Sequence, residues 1–161
     1  MQCVRALATQ SDWPRWVLSE SPLEVNFDFT GLVRILKSKR DVDFSGTMAV
    51  IAEDLVSAVH DEFDTAGHGK WAPLAESTIA NRRHGGGGGD ALVLQDTGRL
   101  YASIQPDSGA DYAKASTDVS YAIYHVSKEA RHKIPLRDFF DLPEEVYEHA
   151  QDTIVKKWLD G

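Results

Sequence analysis

GTMAVIAEDLVSAVHDEFD, residues 46–64, is the stretch on which the fold turns. Met48, Ile51, Ala52, Leu55, Val56, Val59 and Phe63 recur at steps of three and four, which puts them on one broad stripe of a helix. Ser45 or Thr47 is placed to cap the start, and Gly67 and Gly69 lie beyond the end. A long helix with one apolar face needs something flat and apolar to lie on. Upstream, Leu23, Val25, Phe27 and Phe29 alternate with Glu24, Asn26, Asp28 and Thr30, the period of two that marks a half-buried strand. Gly31 breaks that pattern, and Leu32, Val33, Ile35 and Leu36 fit a short helix ending in Lys37, Lys39 and Arg40. Residues 1–22 have no clear period, and their Trp13 and Trp16 read as anchors of an arm that covers either its own core or a neighbour's.

Downstream the pattern weakens. Residues 65–95 read as one long loop, its tip the five glycines 85–89, where backbone entropy is high and no side chain packs. The run is not a phosphate-binding loop, since it lacks the Lys-Ser/Thr ending and no apolar strand feeds it. Asp96-Thr97-Gly98 opens a short helix to about Ile104, with Asp96 or Thr97 as acceptor for its first N–H groups. Residues 112–116 and 120–125 suggest a hairpin around Thr117-Asp118, and residues 134–140 a further strand. Asp141-Leu142-Pro143-Glu144-Glu145 starts a last helix, with proline and acids at its positive end, running to about Leu159. The elements mix without repeating a strand–helix–strand unit. The expected class is α+β: a small, mainly antiparallel sheet with a long packed helix, in one domain over residues 23–161.

Of 161 residues, 42% are hydrophobic and 26% charged, ordinary for a globular chain able to bury a core. No stretch reaches the roughly 20 apolar residues of a membrane helix, and the N-terminus lacks the apolar run of a secretory signal. Cys3 is the one cysteine, so no intramolecular disulfide forms and a reducing cytoplasm is the expected place of synthesis. Seventeen Lys and Arg against 25 Asp and Glu give a net charge of −8. That balance disfavours a sequence-reading DNA binder, which needs clustered cations. Residues 41–64 hold seven acids and no Lys or Arg. Glu53, Asp54, Asp61 and Glu62 form either an ordinary solvated helix face or a surface that repels passing DNA or faces a basic partner.

Catalytic chemistry finds little footing. Six histidines are scattered without the tight spacing of a helical metal site, and no cysteines join them. There is no Gly-x-Ser-x-Gly elbow, and the adjacent acid pairs do not face each other on a helix. The expectation is no cofactor and no enzyme. The rival reading is a small metal-dependent hydrolase or nuclease using His60, Asp64 and His125.

Three stretches, in order, resemble the phage virion morphogenesis family, which includes tail-completion proteins of Mu-like phages. FDTAGHGKWAPLAESTIANRR (63–83) is similar to its helix-ending Phe, Gly-rich turn, Trp-x-Pro-Leu and Thr leading to basic residues. LQDTGRLYASI (94–104) resembles Leu-x-x-Thr-Gly-x-Leu-x-x-Ser-Ile. YAIYHVSKEARHKIPLRDFFDLPEE (121–145) resembles Tyr-Ala-x-x-His, then Ile-Pro-x-Arg-x-Phe-Leu-Gly-Leu and an acidic helix start. His125-Val126-Ser127-Lys128 departs from the family's His-Gln-Phe-Gly, and Phe140-Asp141 from its Leu-Gly. Residues 85–89 and 1–30 lie outside the resemblance. It implies a virion protein forming a homo-oligomeric, hexameric ring at the head–tail junction, as a tail terminator or a neck protein. Neighbouring neck, connector or tail-tube proteins would be its partners, and genomic DNA would pass without being read. On this view Trp13, Trp16, Trp71, Arg99 and Arg137 are candidates for contacts between subunits, arginine because it pairs carboxylates with two prongs. Core packing and intrachain ion pairs explain Trp71 and the arginines equally well.

Overall fold

The computed structural model describes residues 23–82, 92–127 and 134–160. Trp13 and Trp16, the arm that holds them and the glycine run 85–89 lie outside the described residues.

The helical stripe forms as its spacing dictates. Helix α2 spans Ser45–Asp64, and Met48, Ile51, Ala52, Leu55, Val59 and Phe63 are fully buried. Before it come strand β1 (Leu23–Asp28) and helix α1 (Thr30–Lys37), both where the alternation and the short apolar run placed them. Asp43 starts α2: its carboxylate accepts the Ser45 N–H and hydroxyl, each at 2.9 Å. These bonds hold the Asp43 carboxyl below the usual range.

α2 lies on a three-stranded antiparallel sheet of order β1-β3-β2, with β2 spanning Gln105–Ser108 and β3 Tyr112–Thr117. In β3, Ala113, Ala115 and Thr117 are buried while the residues between them are not. Small side chains on the central strand let a helix approach closely, and opposite them in register stand Phe27, Val25 and Leu23 of β1. On the other face Lys114 joins both outer strands, with Nζ 3.1 Å from Glu24 and 3.2 Å from Asp107. These two hydrogen bonds raise the Lys114 pKa above its ordinary value.

Three expectations change. The hairpin is β2–β3, with its turn at residues 109–111, and β3 leads into a 3-10 turn at Ser120–Ala122 and helix α5 (Ile123–Val126). β2 reads Gln-Pro-Asp-Ser, with no apolar alternation, because it is an edge strand held by pairing and tolerates Pro106 there. Residues 134–140 form no strand; they run as an irregular segment ending in a turn. Pro135 has no N–H to give a ladder, and the Arg137 N–H bonds the His125 carbonyl at 2.9 Å. Within 65–95, residues Glu76–Ala80 form a short helix, α3, and Arg99–Ala102 form α4 beyond it. Helix α6, Glu144–Asp160, closes the core through Ala150 and Ile154.

The α2–β3 approach makes a testable demand. Ala115→Leu adds volume where the helix meets the sheet, and urea unfolding should show a loss of about 1–3 kcal/mol. Ser116→Thr, on the opposite face of the same strand, should leave the midpoint nearly unmoved.

Candidate functional site

Phe63, the last apolar residue of α2, is where the distant parts of the chain meet. Its ring lies 5.0 Å from Phe139, 5.7 Å from Tyr101 and 6.0 Å, edge-on, from Trp71. Those partners come from the three stretches singled out in the sequence. Phe139 is fully buried, and Trp71 and Tyr101 are half-buried.

The chain reaches Trp71 through an unusual turn. Ala66, Gly67, His68 and Gly69 all have positive φ, at 51°, 66°, 51° and 78°. Left-handed conformations cost a residue with a Cβ roughly 1–2 kcal/mol, so this turn persists only because its surroundings fix it. The Gly67 N–H bonds the Glu62 carbonyl at 2.7 Å and the Trp71 N–H the Ala66 carbonyl at 3.1 Å. A Cβ at Gly67 would sit 2.4 Å from the Trp71 indole nitrogen, so no larger residue fits while Trp71 stays in place.

Arg137 secures the far side of the same loop. It is only 7% exposed, and its Nη2 donates to the Ala72 carbonyl at 2.9 Å. Burial, then the nearby Arg82, pulls its pKa down from the ordinary value, so the guanidinium is held charged at some cost. Arg99, by contrast, is exposed at the start of α4. The expected cap there is weak: Thr97 Oγ1 accepts the Arg99 N–H at 3.4 Å, and Gly98, with φ 71°, is the capping residue.

The acidic face divides. Glu53, Asp54 and Asp61 are exposed, but Glu62 is 3% exposed and does not belong to that face. The signal was present: Glu62 comes seven residues after Leu55 and three after Val59, the phase of the apolar stripe. Burial raises the Glu62 pKa, against the opposing pull of His68 and Lys70; His68 Nε2 lies 3.1 Å from its Oε1.

Two of the three residues of the hydrolase reading, His60 and Asp64, contact the α4 region. His60 stacks on Tyr101 at 3.9 Å between centroids, with Nε2 3.1 Å from the Tyr101 carbonyl oxygen. Asp64 accepts from Gln95 at 3.3 Å and from the Tyr101 hydroxyl. His125 sits on α5, and no group of three or more His, Cys, Asp or Glu that could hold a metal occurs among the described residues. An open polar groove lies between α3 and the segment before α4, lined by Ser77, Thr78, Asn81, Arg82 and Asp96. The surface also carries apolar side chains in one region. The Arg137–His125 backbone bond sets residues 134–137 beside α5, and Tyr121, Ile123, Tyr124, Ile134 and Leu136 are all exposed.

The chain belongs to the phage virion morphogenesis family, whose model matches residues 29–159. It is thus a phage protein of virion morphogenesis with a structural role, a component of the particle. The match begins at Phe29 and runs through residues 85–89. No curated protein and no solved structure matches the chain. No helix among the described residues is long and apolar enough to cross a membrane.

Gly67→Ala should cost about 2–3 kcal/mol in urea unfolding, from strain and the collision with Trp71. In a Trp71→Leu background the same change should cost less, a coupling that a double-mutant cycle measures. Glu62 gives a pH signature. Because its folded pKa is raised, its contribution to stability is greatest below the ordinary glutamate value and declines as pH rises through the folded value. Subtracting the stability–pH curve of Glu62→Gln from that of the wild type should isolate this decline; a flat difference would remove the assignment.

Proposed function

We propose that this chain forms a ring at the phage head–tail junction and acts in tail completion or head–tail joining. The observation that carries the reading is the family match over residues 29–159. The cluster of exposed apolar side chains around α5 and residues 134–136 supports it, since surface patches of that kind are what assembly covers. In a ring, each subunit presents one surface to a different surface of the next, and rotation closes the circuit. The partners would be copies of the same chain and the neck, connector or tail-tube proteins on either side. Genomic DNA would pass through without sequence recognition, in keeping with the net charge of −8.

The test is particle imaging. Symmetry-averaged electron microscopy of virions should place the chain in a ring between head and tail. Particles made without it should accumulate as filled heads and separate tails, and abnormal tail length would mark a terminator while normal tails would mark a neck protein. Density for the chain along the tail tube, or normal infectious particles without it, would sink the reading.

A further inference from the structure

The three-dimensional structure sorts charge in a way that the chain order does not. The Arg40 guanidinium, just past the end of α1, lies over the Trp158 ring near the end of α6 at 5.2 Å to its centroid, which brings the two helix ends together. The two helix ends therefore form one basic edge, with Arg34, Lys37, Lys39, Lys156 and Lys157 exposed. Acids flank this edge too: Asp111 lines a surface hollow with Arg34 and Lys37, Asp152 precedes Lys156 by one turn of α6, and Asp41, Asp43 and Asp160 adjoin the two helix ends in sequence, Asp43 being occupied by Ser45. Among the described residues, none of those five cations lies within ion-pair distance of a carboxylate.

The opposite charge lies further along the same helix. Glu53, Asp54, Asp61 and Asp64 are exposed, and none pairs with a lysine or arginine among the described residues. At 1.5 Å per residue they stand about 12–28 Å along α2 from its start at Ser45. Screening at physiological salt acts over about 8 Å. The two surfaces are too far apart to neutralise each other within one subunit, and the helices that carry them also expose apolar groups: Ile35 (62%) on α1, Leu159 (65%) on α6 and Val50 (55%) on α2.

We infer that the basic α1–α6 edge of one copy docks on the acidic flank of α2 of the next copy, as the head-to-tail contact of the assembly. This rests on the ring reading and names its interface. Two different, complementary surfaces at separate places on one subunit are what a heterologous contact requires. The acidic flank is then covered by a neighbour and does not face DNA.

Two charge-reversed chains decide it: Glu53→Lys/Asp54→Lys/Asp61→Lys, and Lys37→Glu/Lys39→Glu/Lys156→Glu. Circular dichroism first establishes that each is folded. In light scattering at low salt, each alone should self-associate on the order of 100-fold more weakly than the wild type, because like charges then meet. Mixed one to one, they should assemble again, since each variant's reversed surface matches the other's. Wild-type assembly by either folded variant alone, or no assembly of the mixture, would overturn the contact while leaving the ring reading intact. A chain that is monomeric in solution and absent from any ring in virions would overturn both.

Discussion

The edge-on and tilted contacts of Phe63 with Trp71, Tyr101 and Phe139 hold together segments that have no regular ladder of their own. Residues 65–70 form a turn in which residues 66–69 have positive φ, α4 is a single helical turn, and residues 134–140 are irregular. None of these would keep its shape from local hydrogen bonds alone. Each is fixed because it delivers an aromatic side chain to the same point at the end of α2. The helical phase of α2 sets the position of that point, so the packing of the helix on β3 fixes the geometry of everything attached beyond it.

Polar groups around this junction reinforce the same connections. Arg137 ties the Ala72 carbonyl to the segment before α6, and His60 and Asp64 fasten α4 and its approach to α2. The histidine and acid that composition offers to catalysis are, in the folded chain, fasteners between elements. The surface left over is what an assembly protein presents: an apolar cluster at α5, a basic edge and an acidic flank. Function in such a protein lies in where surfaces are held relative to one another, and a rigid junction at the end of a long helix holds them.

Elements with a strong period were legible in the sequence. α2, β1 and α6 bury or pair on one face, and the spacing of their apolar residues states which. β2 was illegible because Gln105-Pro106-Asp107-Ser108 has no face to declare; it becomes a strand only because β3 offers it partners. Residues 120–126 carry β-branched and aromatic residues suited to a strand, yet they form helical turns. Residues 134–140 lose their strand to Pro135 and to the burial of Arg137 and Phe139. In the candidate site, the Gly67–Trp71 pairing was half legible: a glycine after a helix is a stop signal, but its collision partner is a tertiary fact. Glu62 lay on the apolar phase in plain sight, hidden only by its charged neighbour Asp61.

By itself, then, the sequence determined the α+β class, the long helix and its buried stripe, and the order of three motifs by which the family is recognised. These depend on spacing along the chain, which periodicity records directly. Only the tertiary structure decided that the three motifs converge on one aromatic side chain, that Arg137 and Glu62 turn inward, and that cations from α1 and α6 form one edge. Those outcomes depend on which distant segments share space, and contacts across many residues leave no period in the chain to read.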